Sequence, residues 1–340
     1  MINSLDKFLL EKIKKYIQLD QGSNILCLSN IDDALKQLKP HSSDHVFNLE
    51  KTNNIRRINK FHESINSKLN KEGIYVSCTE TLEERRKRIQ NKSPFGLKNI
   101  IRIIDFVYNR VTPKLPILKV IYFFITKGHN RVISKAETLG RLISCGFDIL
   151  EYFEYDNLLY VVSKKIKEPD FNMKVSYGPL FKMNRVGFKG EIIGVYKMRT
   201  MYPYSEYCQD LIVKENKLSQ SGKVANDYRL TTWGRIFRKY WIDEIPMFIN
   251  FFKRELNLVG VRPLSESYFF KYPKDLQQLR IKVRPGLIPP YYSDMPKSFE
   301  EILQSEKRYL EQKLKFPIRT DLKYFFKAFY NIFFKGARSS

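Results

Sequence analysis

The chain has 340 residues, of which 43% are hydrophobic and 28% charged, so wholesale disorder is excluded and two packed domains are affordable. Sixty lysines and arginines against 36 acids give a formal net charge of +24, which favours an anionic partner: nucleic acid, phosphorylated small molecules or an acidic membrane surface. The four cysteines lack metal-ligand and disulfide spacing, and every histidine lies between His41 and His129. Acid–base chemistry in the second half must therefore rely on carboxylates, Lys, Tyr or Cys.

The first half alternates between predicted helices and strands. Residues 1–20 predict an amphipathic helix without the apolar core of a signal peptide, "NILCLSN" predicts a strand, and residues 52–72 predict a helix that ends at Gly73. "IYVSCTET" predicts a second strand and "LEERRKRIQNK" a charged helix. Residues 135–166 predict a helix, a glycine turn and two strands, and the whole alternation is typical of an α/β layer.

Composition divides the chain into a predicted α/β domain over residues 1–167, a linker over 168–176 and a second domain over 177–340. Residues 52–167 resemble the C-terminal half of a Rossmann-like methyltransferase, through "GIYVSCTETLEE", "GRLISCGFDI" and a closing pair of strands. The glycine-rich loop that would hold the methyl donor is absent. We therefore expect a degenerate domain that does not transfer methyl groups, and its role stays open.

Residues 100–128, "IIRIIDFVYNRVTPKLPILKVIYFFITKG", have two apolar halves around Pro113 and Pro116. Each charge at the centre of a membrane-buried helix would cost about 2.5–3.5 kcal/mol. Five charges occur in the segment: Arg102, Asp105, Arg110, Lys114 and Lys119. We interpret the segment as soluble α/β core, with a membrane-dipping helix as the alternative.

Three motifs follow in order in the second half. They are "GPLFKMNRVGFKGEIIGVYKMRTM", "NDYRLTTWGRIFRKYWIDEIPMFINFFKRELNLVGVRP" and "RIKVRPGLIPP". They resemble the opening segment, the catalytic core and the Arg-Pro-Gly turn of the bacterial sugar transferases, the monotopic polyprenyl-phosphate phosphoglycosyl transferases. The resemblance covers about residues 177–330 and implies a helix-rich α+β domain.

The resemblance implies transfer of a sugar 1-phosphate from a nucleotide diphosphate sugar, such as a UDP-sugar, to polyprenyl phosphate. This step would initiate the synthesis of a surface glycan: exopolysaccharide, capsule or O-antigen. The implied partners are the nucleotide sugar, polyprenyl phosphate and a membrane surface, without nucleic acid, and a homo-oligomer is left open. The implied location is the cytoplasmic face of the inner membrane, peripheral or monotopic.

Asp243 and Glu244 stand together in "WIDEIP". In the resembling family the Asp of this pair is the nucleophile, so the resemblance gives Asp243 that role, through a covalent aspartyl-phosphosugar intermediate. Glu244 would point about 100° away on a helix and would hold a metal or handle a proton. Because Pro246 suits a first helical turn, we expect both acids at a helix N-terminus, which favours negative charge. Solvated acids on a surface helix are the alternative.

Phosphoryl transfer also needs cations that neutralise charge. Mg²⁺ prefers hard oxygen ligands, so we expect Asp243 and Glu244 to hold it together with a diphosphate. Arginine and lysine would contact the phosphates, aimed by neighbouring turn residues. The candidate cations are Lys197, Arg199, Arg262, Arg284 and, more weakly, Arg185, and Pro263 is included as the turn residue that would position Arg262 at the phosphate site. Solvated surface charge is the alternative for each cation.

The sequence departs from the family's pattern in three places. Leu264 stands where the family usually has an acid, and "LIPPYYSD" replaces the small and polar residues that usually follow the Pro-Gly turn. No Pro-broken hydrophobic helix precedes the "GP" segment. The basic, Phe-rich stretch "DLKYFFKAFYNIFFKGARSS" is another candidate for lying in the headgroup layer, as is "MFINFFKR", with core packing as the alternative for both.

Two other functions remain open at this stage. The basic excess is compatible with a nucleic-acid-binding module, although the basic residues sit in turns rather than along one helix. The altered "GVRPLS" and the missing hydrophobic helix are compatible with a catalytically inactive scaffold or partner subunit of a glycan-assembly complex.

Overall fold

The structure is a computed structural model that describes residues 7–17, 25–28, 39–94, 96–115, 117–171, 178–215 and 227–336. The chain divides into two units: Met1–Val175 with Tyr202–Arg229, and Ser176–Met201 with Leu230–Ser340. Our predicted boundaries placed Tyr202–Arg229 in the second domain, whereas this segment groups with the first unit. Most of the predicted linker, residues 172–176, lies outside the described residues.

The first unit contains a five-stranded sheet. Its strands are β1 (Ile25–Leu28), β2 (Ser43–Lys51), β3 (Leu69–Thr79), β4 (Phe147–Tyr155) and β5 (Leu158–Lys165). The spatial order is β1-β2-β3-β5-β4; β1, β2 and β3 are parallel, and β5 pairs antiparallel with both β3 and β4. The neighbouring residues Val161 and Val162 are both fully buried, so both faces of the sheet are covered.

The helices of the first unit are α1 (Lys7–Lys14), α2 (Ile58–Lys68), α3 (Leu82–Lys92), α4 (Lys98–Phe106), α5 (Leu118–Thr126), α6 (Lys135–Ser144) and α7 (Gln209–Glu215). Helix α3 has the predicted bounds, since the hydroxyl of Thr81 caps it by accepting from the Glu84 amide at 3.3 Å. The predicted helix over 52–72 is shorter than expected. Gly73 lies inside β3, because the chain enters the sheet at the fully buried Leu69.

The interpretation of residues 100–128 as α/β core is wrong. The segment forms α4 and α5, joined through irregular helical turns. No residue of α4 is buried, and in α5 only Tyr122 is. Within the parts of the chain that the structure describes, no helix combines the length and apolar character needed to cross a membrane.

The second unit has two small sheets and many helices. Strands β6 (Leu180–Val186) and β7 (Ile192–Met198) form an antiparallel pair, and β8 (Asn257–Val259) and β9 (Gly286–Ile288) a parallel one. The helices are α8 (Thr232–Lys239), α9 (Met247–Phe252), α10 (Glu266–Phe269), α11 (Lys274–Ile281), α12 (Pro290–Asp294), α13 (Phe299–Lys315) and α14 (Pro317–Phe334). The chain is therefore a mixed α and β protein, as predicted.

A close backbone approach sets the geometry of the second unit. A Cβ atom on Gly286 would lie 2.2 Å from the amide nitrogen of Gly260, so only glycine fits there. The Gly286 amide donates to the Val261 carbonyl at 3.0 Å and the Gly260 amide to the Ile288 carbonyl at 3.2 Å. The "GVRP" and "RPGLIPP" segments are thereby held against each other.

The aromatic C-terminal stretch has one face packed in the core and one exposed face. In α14, Tyr324 and Ala328 are buried in the unit, whereas Phe326 and Phe333 on the same helix are about two-thirds exposed. Helix α9 is divided in the same way, with Met247 buried. One face of each helix packs against the protein and the other is free.

Candidate active site

Asp243 and Glu244 occupy a short 3₁₀ turn, Ile242–Glu244, between α8 and α9. This turn splits the helical region that contains "WIDEIP" into two helices. Trp241 enters the turn with a φ of 55°, and its carbonyl accepts from the Glu244 amide at 3.0 Å. Pro246 directly precedes α9, which has only six residues. The acids therefore sit in a tight turn rather than in the first turn of a long helix.

Two contacts fix this turn within the second unit. The indole nitrogen of Trp241 donates to the Tyr292 hydroxyl at 2.8 Å. Asn250, fully buried on α9, accepts from the Tyr196 amide at 2.9 Å and donates to the Gly194 carbonyl at 2.9 Å. Since Tyr196 and Gly194 both lie on β7, the helix after the acids is bound to the strand that carries Lys197.

Glu244 is held by two cations. Its Oε1 lies 2.6 Å from Lys197 Nζ and 3.6 Å from Arg262 Nη2. Arg262 Nη1 also donates to the Tyr291 hydroxyl at 3.1 Å. Burial alone would lower the pKa of Arg262, but Tyr291 and Glu244 raise it, so the guanidinium stays charged.

These side chains line a cavity of about 70 Å³. A cavity of this size has room for a small anionic group such as a phosphate. Its polar walls are Arg185, Lys197, Glu244 and Arg262, so three cations face one carboxylate. The pKa of Arg185 is lowered by burial and by the nearby Arg262. Such a surplus of partly buried positive charge favours an anionic ligand.

Asp243 differs from its neighbour. It is half-buried, does not line the cavity, and among the described residues no hydrogen bond or ion pair joins its carboxylate to another side chain. Burial raises the pKa of Asp243; Lys197 opposes that rise, Glu244 adds to it and Arg238 opposes it. The structure therefore presents one acid fixed by cations and, one residue earlier in the same turn, one acid without an ion pair to any described residue.

The remaining predicted site residues are divided between the cavity and other places. Pro263 lines the cavity beside Arg262. Arg199 instead donates from Nε to the Gly178 carbonyl at 3.0 Å, and Arg284 is exposed, 5.9 Å from the ring of Phe188. Neither lines the cavity.

Three other sequence features have structural outcomes. Leu264, where the family usually has an acid, is buried in the core of the second unit. Asp227 and Arg229, in the "NDYRLT" part of the second motif, form an ion pair at 2.7 Å in the first unit. Over the described ranges, no group of three or more His, Cys, Asp or Glu side chains could hold a metal. Asp243 and Glu244 by themselves would supply two carboxylates to a metal ion.

Sequence reasoning missed the residues that hold the site together: Trp241, Asn250, Tyr291 and Tyr292. The two tyrosines belong to "LIPPYYSD", which we had noted only as a departure from the family's pattern. A pair of adjacent aromatic residues directly after two prolines was the available signal. The contacts of Asn250 carry no such signal, since they span more than fifty residues.

Comparison with known proteins gives matches to this part of the chain. Residues 171–335 match the family model described as bacterial sugar transferase. The galactosyl transferase CpsE of Streptococcus agalactiae is 38% identical over 112 residues, which is 32% of this chain and 25% of that protein. The UDP-glucose:undecaprenyl-phosphate glucose-1-phosphate transferase of Klebsiella pneumoniae is 32% identical over 133 residues, covering 38% and 25%.

An uncharacterized sugar transferase, EpsL, of Bacillus subtilis is 34% identical over 115 residues, covering 34% of this chain and 50% of that protein. The matched region thus spans between a quarter and a half of these relatives. A solved S-adenosylmethionine-dependent methyltransferase from Mesorhizobium loti covers 48% of this chain and 100% of its own, at 11% identity and a TM-score of 0.31, too low to bear on the fold. The ordered motifs and the family match place the similarity to bacterial sugar transferases in residues 171–335.

Proposed function

We propose that the protein transfers a sugar 1-phosphate from a nucleotide diphosphate sugar to polyprenyl phosphate and so initiates the synthesis of a surface glycan. The observation that carries the proposal is the difference in contacts between the adjacent acids. Glu244 is held by Lys197 and Arg262, whereas Asp243 has no side-chain partner among the described residues. A cavity with three cations for one carboxylate lies beside them and fits a phosphate.

The reaction proceeds in two displacements at phosphorus. A carboxylate oxygen of Asp243 attacks the phosphorus that bears the sugar, the bond to the nucleotide's phosphate oxygen breaks, and nucleoside monophosphate leaves with the electron pair. An oxygen of polyprenyl phosphate then attacks the aspartyl-phosphosugar, which releases the Asp243 carboxylate and the lipid-linked diphosphate sugar. Lys197, Arg262 and Arg185 would meet the charge of the phosphates.

Mg²⁺ fits this donor set as a bound cofactor. In the part of the chain that the structure describes, Asp243 has no ion pair and Glu244 is bound through Oε1, so oxygens of both acids are available. Magnesium is usually held by one or two carboxylates together with substrate phosphates. When bound it would neutralise charge on the diphosphate. The donor would be a UDP-sugar, as the names of relatives that use UDP-glucose suggest.

A lipid acceptor requires approach to a membrane. We infer a peripheral or monotopic position on the cytoplasmic face of the inner membrane. Support comes from the exposed aromatic faces of α9 and α14, where Phe252, Phe333 and Phe334 are among the most exposed side chains of the second unit and Lys335 follows.

For the first unit we propose a degenerate Rossmann-like arrangement of the methyltransferase class. The antiparallel β5 is inserted between β3 and β4, which run in the same direction because each is antiparallel to it. Its role is left open.

The proposal is tested with the full chain, Mg²⁺, polyprenyl phosphate in detergent and a panel of nucleotide sugars. We expect release of nucleoside monophosphate with at least one sugar, dependent on the lipid phosphate, and its loss in Asp243→Asn. Absence of release with every donor would leave the inactive scaffold as the better account. Full turnover by Asp243→Asn would remove Asp243 as nucleophile.

A further inference from the structure

Helices α4 and α5 form the most exposed apolar surface described in the first unit; we call them the apolar helix pair. Phe124 is 84% exposed and Ile117, at the start of α5, is 80% exposed. Ile103, Ile104, Val120 and Ile125 are each about two-thirds exposed. So many large apolar side chains exposed on two neighbouring segments are unusual on a soluble protein and mark an interaction site.

Two of the five charges that opposed membrane contact at the sequence level, Asp105 and Arg110, are turned inward. Both carboxylate oxygens of Asp105 accept from Arg85, at 2.6 and 2.7 Å. Arg110 pairs with the buried Glu137 and donates to the Val132 carbonyl at 2.8 Å. These two charges are satisfied inside the first unit and would not enter lipid, so their desolvation cost does not arise.

The helix pair is firmly supported from beneath. Tyr122 of α5 is 1% exposed, and its hydroxyl donates to Asn109 Oδ1 at 3.2 Å. Asn109 in turn donates to Asp105 at 3.0 Å, and the rings of Tyr108 and Tyr122 meet edge to face at 5.4 Å. The apolar side chains therefore project from a fixed base, which removes local unfolding as the reason for their exposure.

The charges that remain at the surface are positive. Between Gly96 and Arg131 the only acid in the sequence is Asp105, which is bound to Arg85. Arg102, Lys114 and Lys119 are exposed alongside the apolar side chains. A second copy of the chain would bring like charges together, whereas an anionic layer attracts them. Long basic side chains can also keep their charge in the headgroup layer while apolar neighbours go deeper.

We propose that the apolar helix pair docks the first unit onto an anionic lipid bilayer, with its apolar side chains in the interfacial layer. Nine residues at 1.5 Å each give α4 and α5 a length of about 14 Å, against about 30 Å for the hydrocarbon core, so the helices lie in the interface. The site lies outside the sugar transferase region, residues 171–335. Its use in delivering the enzyme to a lipid acceptor rests on the proposed function, whereas the binding itself does not.

The test is sedimentation of the full chain with vesicles of phosphatidylcholine alone and of phosphatidylcholine with phosphatidylglycerol. The variant Ile104→Glu/Phe124→Glu places acids on the exposed face, and Ile166→Glu/Phe171→Glu is a matched control at exposed apolar positions of the same unit. We expect binding to anionic vesicles, a fall in partitioning of about tenfold or more in the first variant, and no change in the control. Equal loss in both variants, no loss in either, or equal binding to neutral vesicles would overturn the proposal.

Two further measurements keep the outcomes apart. A Phe124→Trp variant should show blue-shifted emission from the new tryptophan on anionic vesicles, quenched by brominated lipid; an unchanged spectrum contradicts docking. Release of nucleoside monophosphate in detergent, where docking is not needed, should be the same for Ile104→Glu/Phe124→Glu as for the unaltered chain. If the unaltered chain docks through the helix pair but releases no monophosphate, the docking proposal stands and the proposed function fails.

Discussion

Each unit contains a cluster of ionised side chains, and the two clusters differ in whether every acid has an ion pair. In the first unit, each buried acid of the cluster is ion-paired with arginines of the same unit. In the second unit, cations outnumber acids around the cavity, and one acid of the adjacent pair has no side-chain partner among the described residues. The comparison distinguishes charge that holds a fold together from charge that is left for a ligand.

The first cluster shows what a completed network looks like. Glu137, buried on α6, pairs with Arg110 and with Arg141, the latter at 2.8 Å. Glu80 pairs with Arg85 at 3.1 Å and with Arg88 at 2.5 Å. Burial alone would raise the pKa of Glu137, but Arg110 and Arg141 lower it well below its usual range. These buried ion pairs stabilise the fold of the first unit.

The second cluster is incomplete by the same measure. Glu244 alone meets Lys197 and Arg262, and the pKa of Asp243 is raised rather than lowered because burial outweighs its cationic neighbours. The surplus positive charge around the cavity costs stability, and a bound phosphate would offset that cost by neutralising the cations. The contrast predicts opposite responses to mutation in the two units.

The largest effect on stability is expected from Glu137→Gln. It leaves Arg110 and Arg141 buried without their carboxylate, which should cost about 3–5 kcal/mol in the free energy of unfolding. Thermal unfolding followed by circular dichroism measures it. The control Asp275→Asn, at an exposed pair with Lys307, should leave the midpoint unchanged. Equal effects of the two substitutions would erase the distinction between buried ion pairs and surface charge.

Lys197→Met should act in the other direction, on activity more than on stability. Removing one cation that faces the phosphates should slow turnover by about 10²–10³-fold. The free energy of unfolding should change by at most about 1–2 kcal/mol, because Arg262 remains on Glu244. Monophosphate release is compared with that of Lys307→Met, an exposed control. A large loss of stability with unchanged turnover would mean that Lys197 has a structural role, as Arg110 has, and does not bind the phosphates.

Tyr291→Phe removes one hydrogen bond from Arg262 and leaves its contact with Glu244. We expect turnover to fall about fivefold, which corresponds to about 1 kcal/mol for one hydrogen bond of a positioning residue. Michaelis constants and turnover are measured separately, with Tyr268→Phe as the control at an exposed tyrosine of the same unit. Wild-type kinetics in Tyr291→Phe would mean that Arg262 is placed by its backbone alone.

The smallest effect is a gain in stability. Because folding raises the pKa of Asp243, its ionised form costs stability at pH values above the raised pKa, and the cost vanishes below the ordinary pKa of an aspartate, where both states are protonated. Asp243→Asn should therefore raise the free energy of unfolding at neutral pH, by less than about 1 kcal/mol at this half-buried site, and so raise the unfolding midpoint. In acid the substitution should have no such effect. Thermal scans over a pH series measure the difference. A lower midpoint at neutral pH would show that Asp243 itself has a structural role.

Local features of the fold could be predicted from the sequence, and long-range ones could not. The bounds of α3 follow from Thr81 and the residues after it, and the break at Asp243 follows from Pro246. The acids, Lys197 and Arg262 follow from motifs. By contrast, the partners of those residues come from segments that meet only in the folded chain.

Two examples show the physical reason. Tyr291 reaches Arg262 only because Gly260 and Gly286 let two loops touch at backbone distance, and neither glycine reveals its partner in the sequence. Residues 100–128 carry a charge pattern that argued for core, yet Asp105 and Arg110 point inward while their apolar neighbours face outward. Which face of a helix finds partners is decided by elements far along the chain.

The central claim is that Asp243 is the unpaired acid that takes the sugar phosphate. The most direct test is mass spectrometry of the intact protein after incubation with Mg²⁺ and a nucleotide sugar that the protein uses as a donor. The lipid acceptor is left out. The account predicts a gain equal to one sugar phosphate, located on Asp243 by peptide mapping, absent from Asp243→Asn and released when polyprenyl phosphate is added. The same adduct on another residue, or on the Asp243→Asn protein, would contradict the account.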